Sequence, residues 1–257
     1  MSLPRSVAIA RTNLLLQLRD PAVHLLMVAI PLVLIPFMLP GAQAQLRAQG
    51  YAHATGAEQV VPGFAVLFAF LSTQQVITLF FREYAWGTWD RLRASAASTA
   101  DIVVGKVGVA YLIQAVQLAA VVGLGALLYD YRPTGSVWAL ALVLATFSAV
   151  LACFGVMIVA LVSSMNLAMS IVNLVGMLMA GLGGALAPVS GFPDWARAAA
   201  HVSPAYWALD AVQRISLETA GVAEVLPAIG VLVVFAIGFA TVAAVRFRAD
   251  SEKTGDS

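Results

Sequence analysis

The stretch from Pro133 to Pro193, PTGSVWALALVLATFSAVLACFGVMIVALVSSMNLAMSIVNLVGMLMAGLGGALAPVSGFP, decides the fold, because its 61 residues include no Asp, Glu, Lys or Arg. One helix of that length would rise about 90 Å, roughly three times the hydrocarbon thickness of a bilayer. The stretch must therefore cross and return. The polar cluster Ser163-Ser164-Met165-Asn166 marks the reversal, with spans expected over about 137–162 and 167–187.

The same reading extends outward in both directions. A charged side chain at the bilayer centre costs about 2.5–3.5 kcal/mol even on an insertion scale, so uncharged stretches of span length mark crossings. Four more occur, Pro21 to Leu46, Gln59 to Phe81, Val107 to Tyr129 and Val225 to Val245. They place spans at about 22–40, 62–81, 107–129 and 225–245, giving an all-α integral membrane protein with six transmembrane helices in a single domain over 1–257. Composition agrees: 61% of the residues are hydrophobic and 11% charged, which excludes an ordinary soluble domain and a disordered chain. Fourteen Lys and Arg against 13 Asp and Glu leave no basic surplus for nucleic acid. The single cysteine, Cys153, excludes an internal disulfide and is expected to be a buried, inert thiol.

Six crossings put both termini on one side. With the ends inside, the inner segments hold ten basic residues (Arg5, Arg11, Arg19, Arg82, Arg91, Arg93, Lys106, Arg246, Arg248, Lys253) and the outer ones four (Arg47, Arg132, Arg197, Arg214). The positive-inside rule then makes both termini cytoplasmic. Ala42-Gln43-Ala44 looks like a signal cleavage site. The apolar run before it is longer than a signal core, so the first span is expected to be a retained anchor.

Between the spans, Leu3, Val7, Ala10, Leu14 and Leu18 form one helical stripe with Arg5, Arg11 and Arg19 off it, an amphipathic interfacial helix over 1–20. It should end at Asp20-Pro21, where Asp20 can cap the next helix. The inner segment from Arg82 to Lys106 mixes charges with Tyr84, Trp86, Trp89 and Leu92 and reads as a short amphipathic helix with a bend at Gly87-Thr88. Trp86 and Trp89 would also suit a headgroup belt. On the outer side, Pro193-Asp194 and Ser203-Pro204 start two helices too short to cross, expected as re-entrant or interfacial elements.

Small residues recur every fourth position at Gly176, Ala180 and Gly184, and again at Ala115, Ala119 and Gly123. Either stripe suits a subunit interface or, more commonly, packing between helices of one chain. Pro31 and Pro36 predict kinks in the first span. No phosphate-binding loop surrounds Gly105-Lys106, and His24, His53 and His201 lack ligand spacing, so no metal, catalytic or cofactor site is expected. The spans are read as free of carboxylates and lysines. Their neutral polar residues include Ser72, Thr73, Gln74, Gln75, Gln114, Gln117, Asn166 and Asn173. Interhelical hydrogen bonding is the plain role of such groups. Among them Ser72, Gln75, Gln114, Gln117 and Asn173 are candidates to line a path for an amphipathic solute.

Glu83, Gly87-Thr88, Asp90-Arg91-Leu92 and Ile102 through Gly105-Lys106 together resemble the cytoplasmic loop of type-2 ABC transporter permeases. Ala85 and Ala96 stand where that loop has a second glutamate and a turn proline. Arg19-Asp20-Pro21, Pro188, Pro193, Trp195, Ser203-Pro204, Tyr206 and Asp210 add matches along nearly the whole chain. The resemblance implies a permease of a bacterial cytoplasmic-membrane exporter for a drug, antibiotic or lipid. Its partners would be membrane lipid, a second permease half, identical or sibling, and two copies of a separate ATP-binding subunit carrying ATP and Mg. It further implies an ATPase-coupling role for Glu83, Trp86, Gly87, Thr88, Asp90, Arg91 and Leu92, with a second contact at Arg11, Arg19 and Asp20. A polysaccharide or lipid-linked glycan exporter, an intramembrane lipid-modifying enzyme and a passive channel are the alternatives. The enzyme would need a catalytic cluster that the sequence does not display.

Overall fold

A computed structural model describes residues 3–19, 21–87 and 98–247. The long helices among these are α1 (Leu3–Arg19), α2 (Ala22–Ala48), α3 (Ala57–Ser72), α4 (Gln74–Ala85), α5 (Thr99–Tyr129), α6 (Val137–Leu161), α7 (Met165–Leu182) and α10 (Val222–Arg246). Two shorter ones, α8 (Asp194–Ala200) and α9 (Pro204–Leu217), lie between the last two. Six helices are long and apolar enough to cross a membrane: α2, the joined α3–α4, α5, α6, α7 and α10.

The element boundaries follow from local chemistry. The chain reverses between α6 and α7 at Val162–Ser164, within the polar cluster. Helix α7 ends earlier than its apolar composition requires because Gly184 turns left-handed at φ 95°. Its N–H reaches the Gly181 carbonyl at 3.1 Å while the Ala185 N–H reaches Ala180 at 3.0 Å, a Schellman closure that glycine makes inexpensive. Helix α2 extends past the expected end near 40 and runs through Pro31, Pro36 and Pro40 to Ala48. Ala42 and Leu46 are buried on this extension, and Gln43 Nε2 donates to the Ala54 carbonyl at 3.3 Å, so packing on the turn before α3 holds it beyond the apolar stretch.

Helix α3 is the central element, packed against α2, α5, α7 and α9. It is buried almost all round, and only close backbone approach permits this. A Cβ at Gly63 would stand 2.1 Å from the Ala185 carbonyl oxygen. The Gly176 and Ala180 stripe of α7 is also turned inward: both are buried, and a Cβ on Gly176 would meet the Phe70 ring of α3 at 3.3 Å. Gly184 lies beyond the end of that helix and is not part of its stripe. On α5, Ala119 and Gly123 are exposed, and nothing stands within 4 Å of a Cβ at Gly123.

At the end of the bundle where α3 starts and α7 ends, α9 packs against α3, α6, α7 and α10. Ser203 caps its start and donates to the Met179 carbonyl at 2.7 Å, while the Gly135 N–H donates to Ile215 near its close at 2.8 Å. The Ser216 hydroxyl donates to Val212, so it is the Tyr131 phenol that donates to Ser216, at 2.8 Å. Burial of that phenol pushes its pKa up to about 12. In the same helix burial raises the Asp210 carboxyl, opposed by Arg214 at 3.0 Å.

Gly63→Ala is expected to lower the melting temperature of the detergent-solubilised protein sharply, since the clash is with backbone. Gly123→Ala, open on that side, should leave it unchanged or raise it through helix propensity. Tyr131→Phe should cost about 1 kcal/mol by stranding the lost hydrogen bond.

Candidate functional site

The end of the bundle where α4 closes and α5 starts is built around a lysine with no exposed surface. Helix α5 starts on a capping box: the Asp101 N–H donates to Ser98 Oγ at 3.2 Å, and the Ser98 N–H donates to Asp101 Oδ2 at 3.0 Å. Ser6 of α1 adds a hydroxyl 3.4 Å from Asp101 Oδ1. Beside it, a Cβ on Gly105 would stand 2.7 Å from the Ser6 carbonyl oxygen, so α1 and α5 cross with their backbones nearly touching. This start fixes the rotation of α5 and aims Lys106 at α4.

Lys106 is 0% exposed. Its ammonium donates to the Leu79 carbonyl at 2.6 Å and to Glu83 Oε1 at 3.2 Å, and it lies 5.2 Å from the centroid of the Phe80 ring. A buried ammonium is tolerable only with such partners, because desolvation removes several kcal/mol that Coulomb attraction and hydrogen bonds must return. The expectation of lysine-free spans is thereby corrected. Lys106 lies inside the candidate span Ala100–Tyr129, buried against its neighbour rather than in the inner loop. A buried carboxylate also stands at the start of α3, where Glu58 accepts from the Gly56 N–H at 3.0 Å and the Thr55 N–H at 3.1 Å.

The Lys106–Glu83 pair ties the end of α4 to the start of α5, across the neck of the segment 88–97. Next to it the Arg82 guanidinium stacks over Trp86, 4.3 Å from the ring centroid, and Trp86 remains 60% exposed. Gly87 closes α4 at φ 62°. Thr88, Asp90, Arg91 and Leu92 of the expected coupling set, and Asp20 of the second contact, lie outside the described residues.

Helix α1 contributes to the same end with a polar face beside its apolar stripe, whose Ala10 and Leu14 are half-buried. Ser6, Asn13 and Gln17 are buried, whereas Val7 and Leu18 of the apolar stripe point outward. Asn13, Gln17, Arg82, Glu83 and Trp86 border one shallow crevice. Gln17 shares a hydrogen bond with His24 at 3.2 Å, while its Nε2 is buried without a partner. Arg11 and Arg19 are exposed on α1.

The polar residues of the spans form struts. Ser72 Oγ lies 2.8 Å from Gln114 Oε1, and Gln114 Nε2 donates to Thr73 Oγ1 at 3.2 Å, where α3 gives way to α4. Gln117 Nε2 donates to Phe68 at 3.1 Å and to Met27 at 3.5 Å, joining α5 to α3 and α2. Gln74 donates to Asn173, linking α4 to α7. Gln75, beside it, is half-buried. Between α2, the start of α3 and Leu186, a cavity of about 680 Å³ opens, mostly apolar but edged by Gln45 and Gln59.

The sequence reading put Glu83 and Trp86 together at this end and had Lys106 as the closing cation of the family-like loop, without its burial or its pairing with Glu83. If the buried pair organises the neck, Glu83→Gln, which strands a fully buried ammonium, should destabilise the protein by about 3 kcal/mol. Lys106→Met should cost less, because Glu83 retains some access to water. The double variant should recover much of the loss, so thermal melting in detergent yields a non-additive cycle.

A search of curated proteins finds no match to the chain. Residues 6–217, more than four-fifths of its length, match the family model described as ABC-2 type transporter. The match begins in α1, runs through the neck held by Lys106 and Glu83, and ends with α9. The chain belongs to the ABC-2 type transporter permease family and is a transmembrane component of an ABC transporter.

Proposed function

We propose that this chain is the permease of an ATP-driven exporter, moving a hydrophobic or amphipathic compound out across a bacterial cytoplasmic membrane, with both its termini inside. Two copies of a separate ATP-binding subunit supply the energy and carry ATP and Mg, and a second permease half completes the path. The observation that carries this reading is the Lys106–Glu83 pair at 3.2 Å, which clamps α4 to α5 at the root of the segment holding Arg91. A push delivered to the end of α4 or the start of α5 passes into both helices through that pair.

Trp86, exposed and stacked by Arg82, is the contact offered to the ATPase, together with Thr88, Asp90, Arg91 and Leu92. Arg11, Arg19 and Asp20 give α1 a second contact, while its outward Val7 and Leu18 rest in the membrane surface. Exposed apolar residues on α2 (Val33, Phe37) and α7 (Leu174, Met177) flank α3 and supply the face for the second half. The path follows α3 and α4 between them. The outer cavity, apolar with glutamines at its edge, suits an amphipathic cargo better than an ion. Gln75 and Asn173 border that path, and Ser72, Gln114 and Gln117 brace its wall.

Trp86→Ala and Arg91→Glu should each reduce co-purification with the ATP-binding subunit encoded beside this gene, or abolish cargo-stimulated ATP hydrolysis, with membrane insertion intact. Full coupling in both variants refutes the assignment. Reporters fused to the two ends should both read cytoplasmic.

A further inference from the structure

Where α7 closes, the turn at Gly183 and Gly184 and one face of α9 border a pocket of about 310 Å³. Unlike the cavity between α2 and α3, it is walled in good part by polar side chains. Tyr206, Asp210 and Gln213 follow one another at helical spacing on that face of α9. His201 joins them in the lining, its ring centroid 4.4 Å from that of Tyr206.

The bonds already made in this wall decide which atoms are left for a ligand. Gln59 Nε2 donates to the Gly184 carbonyl at 2.8 Å, so Gln59 Oε1 is the atom that accepts from Gln213 Nε2. Gln213 Oε1 remains open. His201 Nδ1 lies 2.9 Å from the Arg197 carbonyl and must be the donor there, which leaves the lone pair of the neutral ring on Nε2. Asp210 Oδ2 accepts from Arg214 Nε at 3.0 Å, and Oδ1 has no partner among the described residues. One lining thus carries a carboxylate oxygen, an amide oxygen and an imidazole nitrogen, each short of a donor. Of the other polar side chains, Gln49 donates to Ser190 at 3.0 Å, Arg197 donates to Asp194, and Tyr206 has a hydroxyl that can donate or accept. The Asp210 carboxyl shows the deficit: burial raises its pKa although Arg214 opposes the shift.

A hydroxyl would bring one donor and further lone pairs to this set, whereas a primary ammonium brings three donors, no acceptor and a charge that suits the carboxylate. Pro188, Val189 and Leu209 supply an apolar side for a hydrocarbon body next to that group. We infer that the pocket is a binding site for a small primary amine, its ammonium donating to Asp210, Gln213 and His201 and its compact apolar body held by Pro188, Val189 and Leu209. The site is independent of the export reading, and its occupation requires neither nucleotide nor a second subunit.

The test is a scintillation-proximity titration of the purified full chain in detergent with tritiated phenethylamine. Its competitors are 2-phenylethanol and the N,N,N-trimethyl derivative, which keeps the charge but has no N–H. Phenethylamine should bind saturably, and each competitor should be at least about tenfold weaker, the worth of a hydrogen bond to a charged group. Asp210→Asn should weaken the amine by about tenfold or more, and so should His201→Phe, which keeps a ring and removes the acceptor. Absence of saturable binding, a competitor equal to the amine, or wild-type affinity in either variant would overturn the proposal. Should Asp210→Asn misfold, His201→Phe decides alone, since it alters an exposed side chain: weakened binding supports the site and unchanged binding refutes it.

Discussion

Hydrocarbon offers no hydrogen bonds, so each polar group carried into the bundle must meet its partner inside the protein. That demand governs how these helices associate more than apolar contact does, because lipid tails are as greasy as leucine and give helices no reason to leave them. The struts satisfy most of it: Gln114 on Ser72 and Thr73, Gln117 Nε2 on Phe68 and Met27, Gln59 on the Gly184 carbonyl at 2.8 Å, with Gln117 Oε1 the strut atom left buried without a partner among the described residues. Each runs to or from α3 or its junction with α4. The central helix is therefore held at fixed rotation by directional bonds, and glycines at Gly63 and Gly176 let its neighbours close to contact distance.

Lys106 is the extreme case of the same demand. Its ammonium cannot leave Leu79 and Glu83 without being stranded, so the pair fastens the end of α4 to the start of α5. The capping box at Ser98 and Asp101 extends that fastening to α1, where Ser6 reaches the Asp101 carboxylate.

Much of the fold was legible: charge and length place the six spans, the neutral polar cluster marks the reversal near Ser163, and proline beside a capping residue marks the helix starts at Asp194 and Pro204. Three features were not. The extension of α2 to Ala48 depends on Ala42 and Leu46 finding a surface on another element, which periodicity does not contain. The packing of Ser6, Asn13 and Gln17 of α1 onto the bundle was not legible, since amphipathicity says which residues differ and not which of them meet protein. Lys106 was read as a loop charge because a cation near a span end usually snorkels to water. Its burial required Glu83, 23 positions away, to be beside it.

The packed face of α1 follows the same demand. Ser6, Asn13 and Gln17 are turned inward while Val7 and Leu18 are exposed, which in a soluble bundle would be a folding error. Here the surface that α1 meets is itself polar: Ser6 reaches the Asp101 carboxylate at the start of α5, and Asn13 and Gln17 border one crevice with Arg82 and Glu83 of α4. Apolar side chains on that face would strand those groups, so the polar residues of α1 pack inward because their partners are there.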